Sequence, residues 1–229
     1  MKMNRHLNLA FVLVFLSILN LTCSKDDDSE NESTVRDIDG NVYETVTIGT
    51  QVWMAENLKV THYRNGDSIP NVINNTEWSN LTTGAYCNYD NNKTNADTYG
   101  CLYNWYTVSD NRNIAPGGWH VPSDGEWQIL VSYLGSDSVA GGKMKEIGTT
   151  HWNSPNTGAT NESGFFALPG GFRDYHGNFD YIGTHAYFWS STEEYFNKSW
   201  GRKLVYSSSE VIRGSGYMYA GHSVRCVKD

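Results

Sequence analysis

Residues 119–130 (WHVPSDGEWQIL) bring together residue types that do chemistry in enzymes, namely His120, Asp124 and Glu126. A histidine beside two carboxylates could exchange protons with a substrate or bind a metal ion. However, Asp124 and Glu126 are two residues apart and would point in different directions from a helix. No second histidine stands at metal-binding spacing from His120. The segment therefore does not favour catalysis or metal binding.

The same segment has the pattern of a helix start. In the Ser-x-x-Glu pattern of Ser123 and Glu126, each side chain accepts a hydrogen bond from the backbone N–H of the other residue. Asp124 in the first turn is favoured by the helix dipole. An apolar stripe at helical spacing follows, made of Trp127, Leu130, Val131 and Leu134. We expect a structural role for the segment, with Gly135 ending the helix.

Most of the remaining sequence has the pattern of short strands separated by turns. Residues 39–58 alternate in polarity and break at Gly49-Thr50, which predicts a β-hairpin after an Asp39-Gly40 turn. Only residues 102–108 offer a second segment with helical spacing. Further short strands are expected at residues 165–168, 186–190, 200–206 and 222–227.

The N-terminus has the pattern of an export signal. Basic residues precede an apolar run over residues 7–21, which is shorter than the ~20 residues of a membrane-spanning helix. We therefore assign residues 1–22 to a signal peptide. Cys23 directly after this run resembles the acylated cysteine of bacterial lipoproteins, and an ordinary secretory signal is the alternative. The following Ser-Lys-Asp-Asp-Asp resembles the export tag of surface lipoproteins in Bacteroidetes-type bacteria. This implies a lipid anchor in the outer membrane, facing the cell exterior.

The mature chain is expected to be an acidic tether followed by one domain. Residues 23–34 contain no large apolar side chain and predict disorder. Residues 35–229 continue without a second linker, which fits a single domain with a sizeable core. The formal net charge is −8, and removing residues 1–22 would take away two basic residues and no acidic one. Nucleic acids and anionic lipid surfaces are therefore not expected partners of the folded domain.

Several ordered motifs resemble a known family. They are YGCLYNWYTV, APGGWHVPSDGEWQIL, GFFALPGGFRD, FWSSTE and HSVRCVKD, and together they resemble the Fibrobacter succinogenes major paralogous domain over about residues 37–229. More distantly, WHVPSDGEW and the closing SVRC resemble formylglycine-generating, sulfatase-modifying enzymes, whose fold is related to C-type lectins. This implies an α+β fold of the C-type lectin-like or sulfatase-modifying-factor-like type. Two helices would pack on twisted antiparallel sheets with much irregular loop, and the first and last strands would lie close together.

The resemblance does not carry the enzymatic chemistry with it. Formylglycine-generating enzymes bind copper through two cysteines shortly before the terminal motif. Residues 207–221 of this chain contain no cysteine, and Cys226 matches only the cysteine of the terminal motif. A single thiolate would hold Cu(I) poorly. We therefore do not expect that reaction or a resident cofactor.

One polar segment, residues 90–97, could take calcium. Asp90, Asn92 and Asp97 supply oxygen atoms at roughly alternating positions. An EF-hand would need glycine and glutamate where Asn95 and Cys101 stand, so only a loose, lectin-like site would fit. The alternative is a polar turn without a metal.

Cys87, Cys101 and Cys226 remain after lipidation, so at least one must be unpaired. The bond could join Cys87 to Cys101, or either of them to Cys226. The lectin resemblance implies Cys87–Cys226. Two arginines in Gly-rich or terminal motifs, Arg173 and Arg225, are expected to form an internal ion pair or to bind backbone groups rather than a ligand.

Two classes of function fit these observations. The first is a non-catalytic surface module that binds a glycan or an extracellular protein, because tryptophan and tyrosine offer rigid apolar faces with a polar edge. The aromatic residues that lie outside the family motifs are the ligand candidates: Trp78, Trp152, Tyr175, Tyr181, Tyr195 and Trp200. The second class is an enzyme of unrecognised chemistry on the related scaffold. We favour binding.

Lipidation can be tested directly. Because Cys23 would carry the acyl chains, Cys23→Ala should move the protein from the membrane fraction to the soluble fraction of a bacterial host. Fractionation followed by immunoblotting measures this change. A Cys23→Ala protein that stays in the membrane fraction to the same extent would contradict the lipid anchor.

Overall fold

The alternating segment near the N-terminus forms the predicted hairpin. In the computed structural model, which describes residues 33–229, strand β1 (Thr34–Arg36) pairs with β2 (Val42–Ile48), and β2 pairs with β3 (Gln51–Met54). Gly49 makes the turn between β2 and β3 with φ +64°, a conformation that glycine adopts at little cost. Strand β1 begins at the last residue that the sequence assigned to the tether.

The C-terminus joins this hairpin in the first sheet. Strand β12 (Val227–Lys228) lies between β3 and β6 (Trp119–His120), and Val227 pairs with both Trp53 and His120. The order of strands is β1-β2-β3-β12-β6. The first and last strands of the described chain therefore belong to one sheet. The last strand is shorter than the one predicted at residues 222–227, of which only Val227 belongs to β12.

The second sheet contains the longest strands. Its strands are β7 (Gly170–Arg173), β8 (Phe179–Ile182), β9 (His185–Tyr195), β10 (Lys198–Val205) and β11 (Val211–Tyr217). Their order is β11-β10-β9-β7-β8, and all pairs are antiparallel except β7 with β9. Residues 186–190 and 200–206 fall largely within β9 and β10, as predicted, whereas 165–168 makes only an isolated bridge through Ala167.

Within residues 33–229, five short helices and a small third sheet accompany these two sheets. Helix α4 (Asp124–Tyr133) starts where the sequence predicts, and Gly135 follows its C-cap with φ +120°. Residues 102–108 are only partly helical, because Leu102–Tyr103 pairs as a strand before the helix begins. The other elements are α1 (Asn75–Ser79), β4 (Tyr86–Cys87), a 3-10 turn (Tyr89–Asn91), α2 (Lys93–Tyr99), β5 (Leu102–Tyr103), α3 (Trp105–Val108) and α5 (Asp137–Met144).

Helix α5 shows why sequence patterns missed some helices. It contains Gly141 and Gly142, which lower helix propensity. A Cβ at Gly141 would collide with the carbonyl of Glu210, and one at Gly142 with that of Gly158. The helix therefore packs with its backbone against neighbouring backbone, which an apolar stripe does not reveal. The domain is a mixed α and β structure with mostly sheet and few helices.

The core consists of three clusters of buried residues. The largest includes Tyr43, Trp189 and Cys226, whereas a second centres on Trp53 and Trp127, whose ring centroids are 4.9 Å apart. The third lies around Trp78, Cys87 and Leu102. Residues 33–229 belong to one compact unit. No helix in the described range is long and apolar enough to cross a membrane.

Arg225 is buried and holds irregular chain segments together. Its guanidinium donates to Asn57 Oδ1 at 2.7 Å, to the carbonyls of Met54 and Phe166 at 3.1 and 3.0 Å, and to the carbonyl of Phe165. A buried cation is stable only when its donors are satisfied. The expectation that Arg225 binds backbone groups is confirmed.

Arg173 and Lys145 are buried in the same way. Arg173 is fully buried, and its guanidinium carbon lies 4.4 Å from the ring centroid of Trp78. Lys145 Nζ donates to three backbone carbonyls, and burial lowers the pKa of this ammonium to about 8. The acceptors of Arg173 are the carbonyls of Val72, Ile73 and Gly177 and Asn75 Oδ1, and those of Lys145 are the carbonyls of Thr157, Val205 and Ser208.

The prediction of a disulfide between Cys87 and Cys226 is wrong. All three cysteines among the described residues are free and buried. Cys87 lies in the third core cluster, whereas Cys101 and Cys226 lie in the first. Cys87 pairs with Leu102 in the third sheet, so the side chain of the adjacent Cys101 points to the opposite face. Cys23, the signal peptide and nearly all of the tether lie outside the described residues.

The role of Arg225 can be tested by removing its charge. Arg225→Met would leave three carbonyls and one amide oxygen without their donor, so the free energy of unfolding should fall by about 3 kcal/mol. Arg112→Met is the control, because Arg112 is half-exposed and solvent reaches its ion pairs with Asp110 and Asp67. Its loss should cost much less than the loss of Arg225, since solvent screens such ion pairs. Urea denaturation measures both, and equal losses would contradict the proposed role of Arg225.

Candidate functional site

An open cleft of about 220 Å³ lies against one face of the second sheet. Strands β7, β9, β10 and β11 supply its walls, together with the turn after β7 and the segment after β11. Aromatic rings and glycines dominate the lining, and no Asp or Glu of the described chain contributes to it. The lining residues are Phe172, Tyr175, Tyr187, Gly201, Arg202, Lys203, Ile212, Gly214, Ser215, Gly216, Tyr217, Ala220 and His222.

The register of the strands explains how the cleft forms. Lys203 is opposite both Tyr187 and Ile212, so these three side chains share one face of the sheet. Two residues along, Gly201 is opposite Gly214, and a Cβ on Gly214 would meet no atom within 4 Å. The missing side chain of Gly214 therefore leaves open space between larger neighbours.

His222 is a polar group in an aromatic environment. Its ring stacks on Trp189 with centroids 3.9 Å apart, and the ring of Tyr187 is 5.2 Å away. The residue is only 7% exposed, and its Nδ1 has no hydrogen-bond partner among the described residues. Burial lowers the pKa of His222 to about 3, so the imidazole is neutral at physiological pH. Buried polar atoms without a partner are rare and costly, which marks this ring as a candidate ligand contact.

Two banks of aromatic rings flank the cleft. On one side Phe172 contacts Tyr187, with centroids 4.7 Å apart, and stacks on Tyr181 at 5.8 Å. On the other side Tyr217 contacts Tyr175 at 5.2 Å. Burial, with smaller effects of Tyr181 and Asp180, raises the pKa of Tyr187 to about 12. Its hydroxyl therefore stays protonated and can donate a hydrogen bond.

Comparison with known proteins identifies the family. Residues 46–228 match the Fibrobacter succinogenes major domain. The chain belongs to this family. The matched range includes every residue that lines the cleft. No curated protein matches the chain, and no solved structure does.

Two of the predicted ligand residues lie at the cleft of this Fibrobacter succinogenes major domain. Tyr175 lines it, and Tyr181 is exposed beside Phe172. Tyr195 lies elsewhere, at the tip of the β9–β10 hairpin, where its side chain is 77% exposed.

Three predicted tryptophans do not reach the cleft. Trp78 and Trp152 are buried, at 0% and 1% exposure, so the prediction that they stack on a ligand is wrong. Trp78 packs under Arg173, and the indole N–H of Trp152 donates to the carbonyl of Ala167. Trp200 precedes Gly201 and lies on the opposite face of β10, under the guanidinium of Arg213 at 3.4 Å. All three tryptophans therefore make contacts within the protein away from the cleft.

Sequence analysis did not name Tyr187, His222, Phe172 or Tyr217 as ligand candidates. One signal could have found the first of these, because His185, Tyr187 and Trp189 alternate with Ala186 and Phe188 along β9. Such alternation places the three rings on one face of a strand. The other three come from distant segments, which no local pattern connects.

The predicted calcium ligands do not form a recognisable metal site. Asn92 Oδ1 accepts a hydrogen bond from the backbone N–H of Thr94 and so caps helix α2. Asp90 belongs to the preceding 3-10 turn, and Asp97 lies within α2. In residues 33–229 no group of three or more His, Cys, Asp or Glu side chains could hold a metal ion. Calcium at this segment remains a prediction.

The structural role expected for residues 119–130 is confirmed by its contacts. Ser123 and Glu126 form the full capping box. Asp124 accepts hydrogen bonds from Arg202 at 2.7 Å and from Arg213 at 2.9 Å, which ties the start of α4 to β10 and β11. The carboxylates thus hold helix and sheet together on the face opposite the cleft.

His120 joins this network through both ring nitrogens. Nε2 lies 2.8 Å from Glu126 Oε1, and Nδ1 lies 2.6 Å from Oδ1 of the C-terminal residue Asp229. Burial alone would lower the pKa of His120, but the hydrogen bonds and charges of Asp229 and Glu126 outweigh it and raise the pKa. The protonated ring therefore stabilises the fold, fully below the unfolded pKa of about 6.5 and less as pH rises through the folded value.

Replacing His120 should remove this pH dependence. His120→Gln should lower the free energy of unfolding in mildly acidic buffer by about 1 kcal/mol or less, because solvent screens this half-exposed site. Above the folded pKa the variant and the wild type should converge. His176→Gln is the control, since the imidazole of His176 has no carboxylate partner in the described chain and contacts only the ring of Tyr175. Melting temperatures at several pH values provide the measurement, and an unchanged pH profile for His120→Gln would contradict the assignment.

Proposed function

We propose that this domain is a non-catalytic binding module, and that the aromatic cleft on the second sheet binds a glycan. The observation that carries the proposal is the combination of flat aromatic faces with the unpartnered, buried His222 in one cleft. An apolar pocket with a few convergent polar groups and perturbed pKa values is the usual character of a ligand site.

A sugar ring matches this lining chemically. One face of the ring presents C–H groups and its edge presents hydroxyls. Tyr175, Tyr187 and Tyr217 offer apolar faces with polar edges, to which such a ring can stack and bond. A neutral imidazole carries one donor and one acceptor, so His222, which lines the cleft, adds hydrogen-bonding capacity for a sugar hydroxyl beside the tyrosines.

The electrostatics of the cleft favour binding over catalysis. His222 has no acidic partner among the described residues, and a pKa of about 3 makes it a weak general base near neutral pH. Catalytic acid–base groups work best with a pKa near the operating pH. The enzyme alternative therefore lacks a specific supporting observation.

The proposal also includes a specific fold type and a cellular location. We infer a C-type lectin-like variant, supported by the first and last strands sharing one sheet and by the small number of helices. We also propose that the protein is lipid-anchored through Cys23 at the bacterial outer membrane and faces outward. The sequence pattern of residues 1–34 supports this location, and an external glycan or protein would then be the natural partner.

A glycan array with the full-length protein tests the proposal. Tyr217→Ala and Tyr175→Ala should each weaken binding to the glycans found by about tenfold, because each removes a stacking face. Tyr133→Ala is the control, since Tyr133 is similarly exposed but lies on α4. Binding should persist with a calcium chelator, because no carboxylate of the described chain lines the cleft.

Three outcomes would count against the cleft. Binding of no glycan at all would contradict the glycan assignment. Equal affinities of the wild type and both cleft variants would place the site elsewhere. Complete loss of binding in chelator would point to a calcium site, for which residues 90–97 are the candidate.

A further inference from the structure

Two lysines at the cleft have no acidic partner. Lys203 lines the cleft on the same sheet face as Tyr187. Lys198 Nζ lies 5.2 Å from the ring centroid of Tyr217, which forms the opposite bank. Neither lysine forms an ion pair or a side-chain hydrogen bond with any residue of the described range.

Other cations near this sheet are paired, which makes the contrast informative. Arg202 and Arg213 both bind Asp124 on the opposite face, and Lys143 binds Glu162 at 2.8 Å. The chain has 25 acidic against 17 basic residues, so acidic partners are abundant. The cleft nevertheless holds a positive charge that no described side chain neutralises.

Two carboxylates near the cleft, Asp174 and Asp180, pair with neither lysine. Asp174 Oδ1 accepts hydrogen bonds from the backbone N–H groups of His176 and Asn178, which lie in the same turn as Asp174. Asp180 on β8 affects the pKa of Tyr187 but does not line the cleft. Lys203 is therefore a cleft lysine with which no carboxylate of the described chain pairs, although the protein as a whole is negatively charged.

We propose that the cleft selects acidic saccharides, with Lys203 binding a carboxylate or sulfate group while the tyrosine faces receive the sugar ring. This inference rests on the proposed glycan-binding function and narrows its ligand class. Half-burial in an aromatic cleft strengthens an ion pair relative to open solvent, because the effective dielectric is lower. A lysine ammonium is a compact point charge, so its geometry fits both anionic groups.

Matched pairs of acidic and neutral glycans test the inference. The first pair is a short oligogalacturonide and its methyl ester, and the second is a sulfated galactan oligosaccharide and its desulfated form. Isothermal titration with the full-length protein should show at least one acidic form binding about tenfold more tightly than its neutral counterpart. Which pair shows the preference identifies carboxylate or sulfate as the anion. Added salt should weaken binding of the acidic form and leave that of the neutral form nearly unchanged.

Lysine variants assign the preference to the cleft. Lys203→Gln should weaken binding of the acidic form, so the ratio of the affinities for the acidic and neutral forms should fall from about tenfold to near one. Lys59→Gln is the matched control, because Lys59 is also partly buried and its Nζ lies 5.7 Å from the ring centroid of Tyr43. Lys59 comes after strand β3 in the chain and does not line the cleft. It should keep the preference. Circular dichroism confirms that each variant is folded.

The possible failures separate the two proposals. If neither pair shows an acidic preference, or if Lys203→Gln keeps it, the inference is overturned while glycan binding by the tyrosines can still stand. If no glycan binds in the array or in titration, the proposed function itself fails.

Discussion

The need to satisfy backbone carbonyls in irregular segments governs this structure. Much of the chain lies outside helices and strands, so many carbonyls have no partner in a regular ladder. Three buried cations supply the missing donors, because the side-chain N–H groups of Arg173, Arg225 and Lys145 each donate to several backbone carbonyls. Indole N–H groups do the same, as when Trp189 donates to the carbonyl of Tyr103. Buried cations and tryptophans therefore act as internal cross-links, in a domain whose described cysteines form none.

This arrangement explains why the cleft lies where it does. Asp124 binds Arg202 and Arg213 and so holds α4 against one face of the second sheet. The opposite face lines the cleft, and the absent side chain of Gly214 leaves open space there. A rigid sheet fixed from behind is a suitable platform for aromatic contacts, because a preorganised site loses less entropy when a ligand binds.

Features that depend on neighbours in sequence were predictable. The capping box at Ser123, the hairpin over residues 39–58 and the backbone-binding role of Arg225 all followed from local patterns or from the chemistry of a residue type. The burial of Trp78 and Trp152 was not predictable. An aromatic residue in a loop-like segment has the same sequence pattern whether the loop folds inward or stays exposed.

The sequence by itself determined the family, the mixed α and β character, the helix start and the absence of the copper-binding cysteine pair in residues 207–221. Only the tertiary structure decided which aromatic rings face solvent, that Cys87 and Cys226 lie in separate core clusters, and that His222 stacks on Trp189 beside Tyr187. The physical reason is the sequence separation between the residues that interact. Caps and turns form between residues a few positions apart, whereas the cleft joins residues from 172 to 222 through strand register, which sequence spacing does not encode.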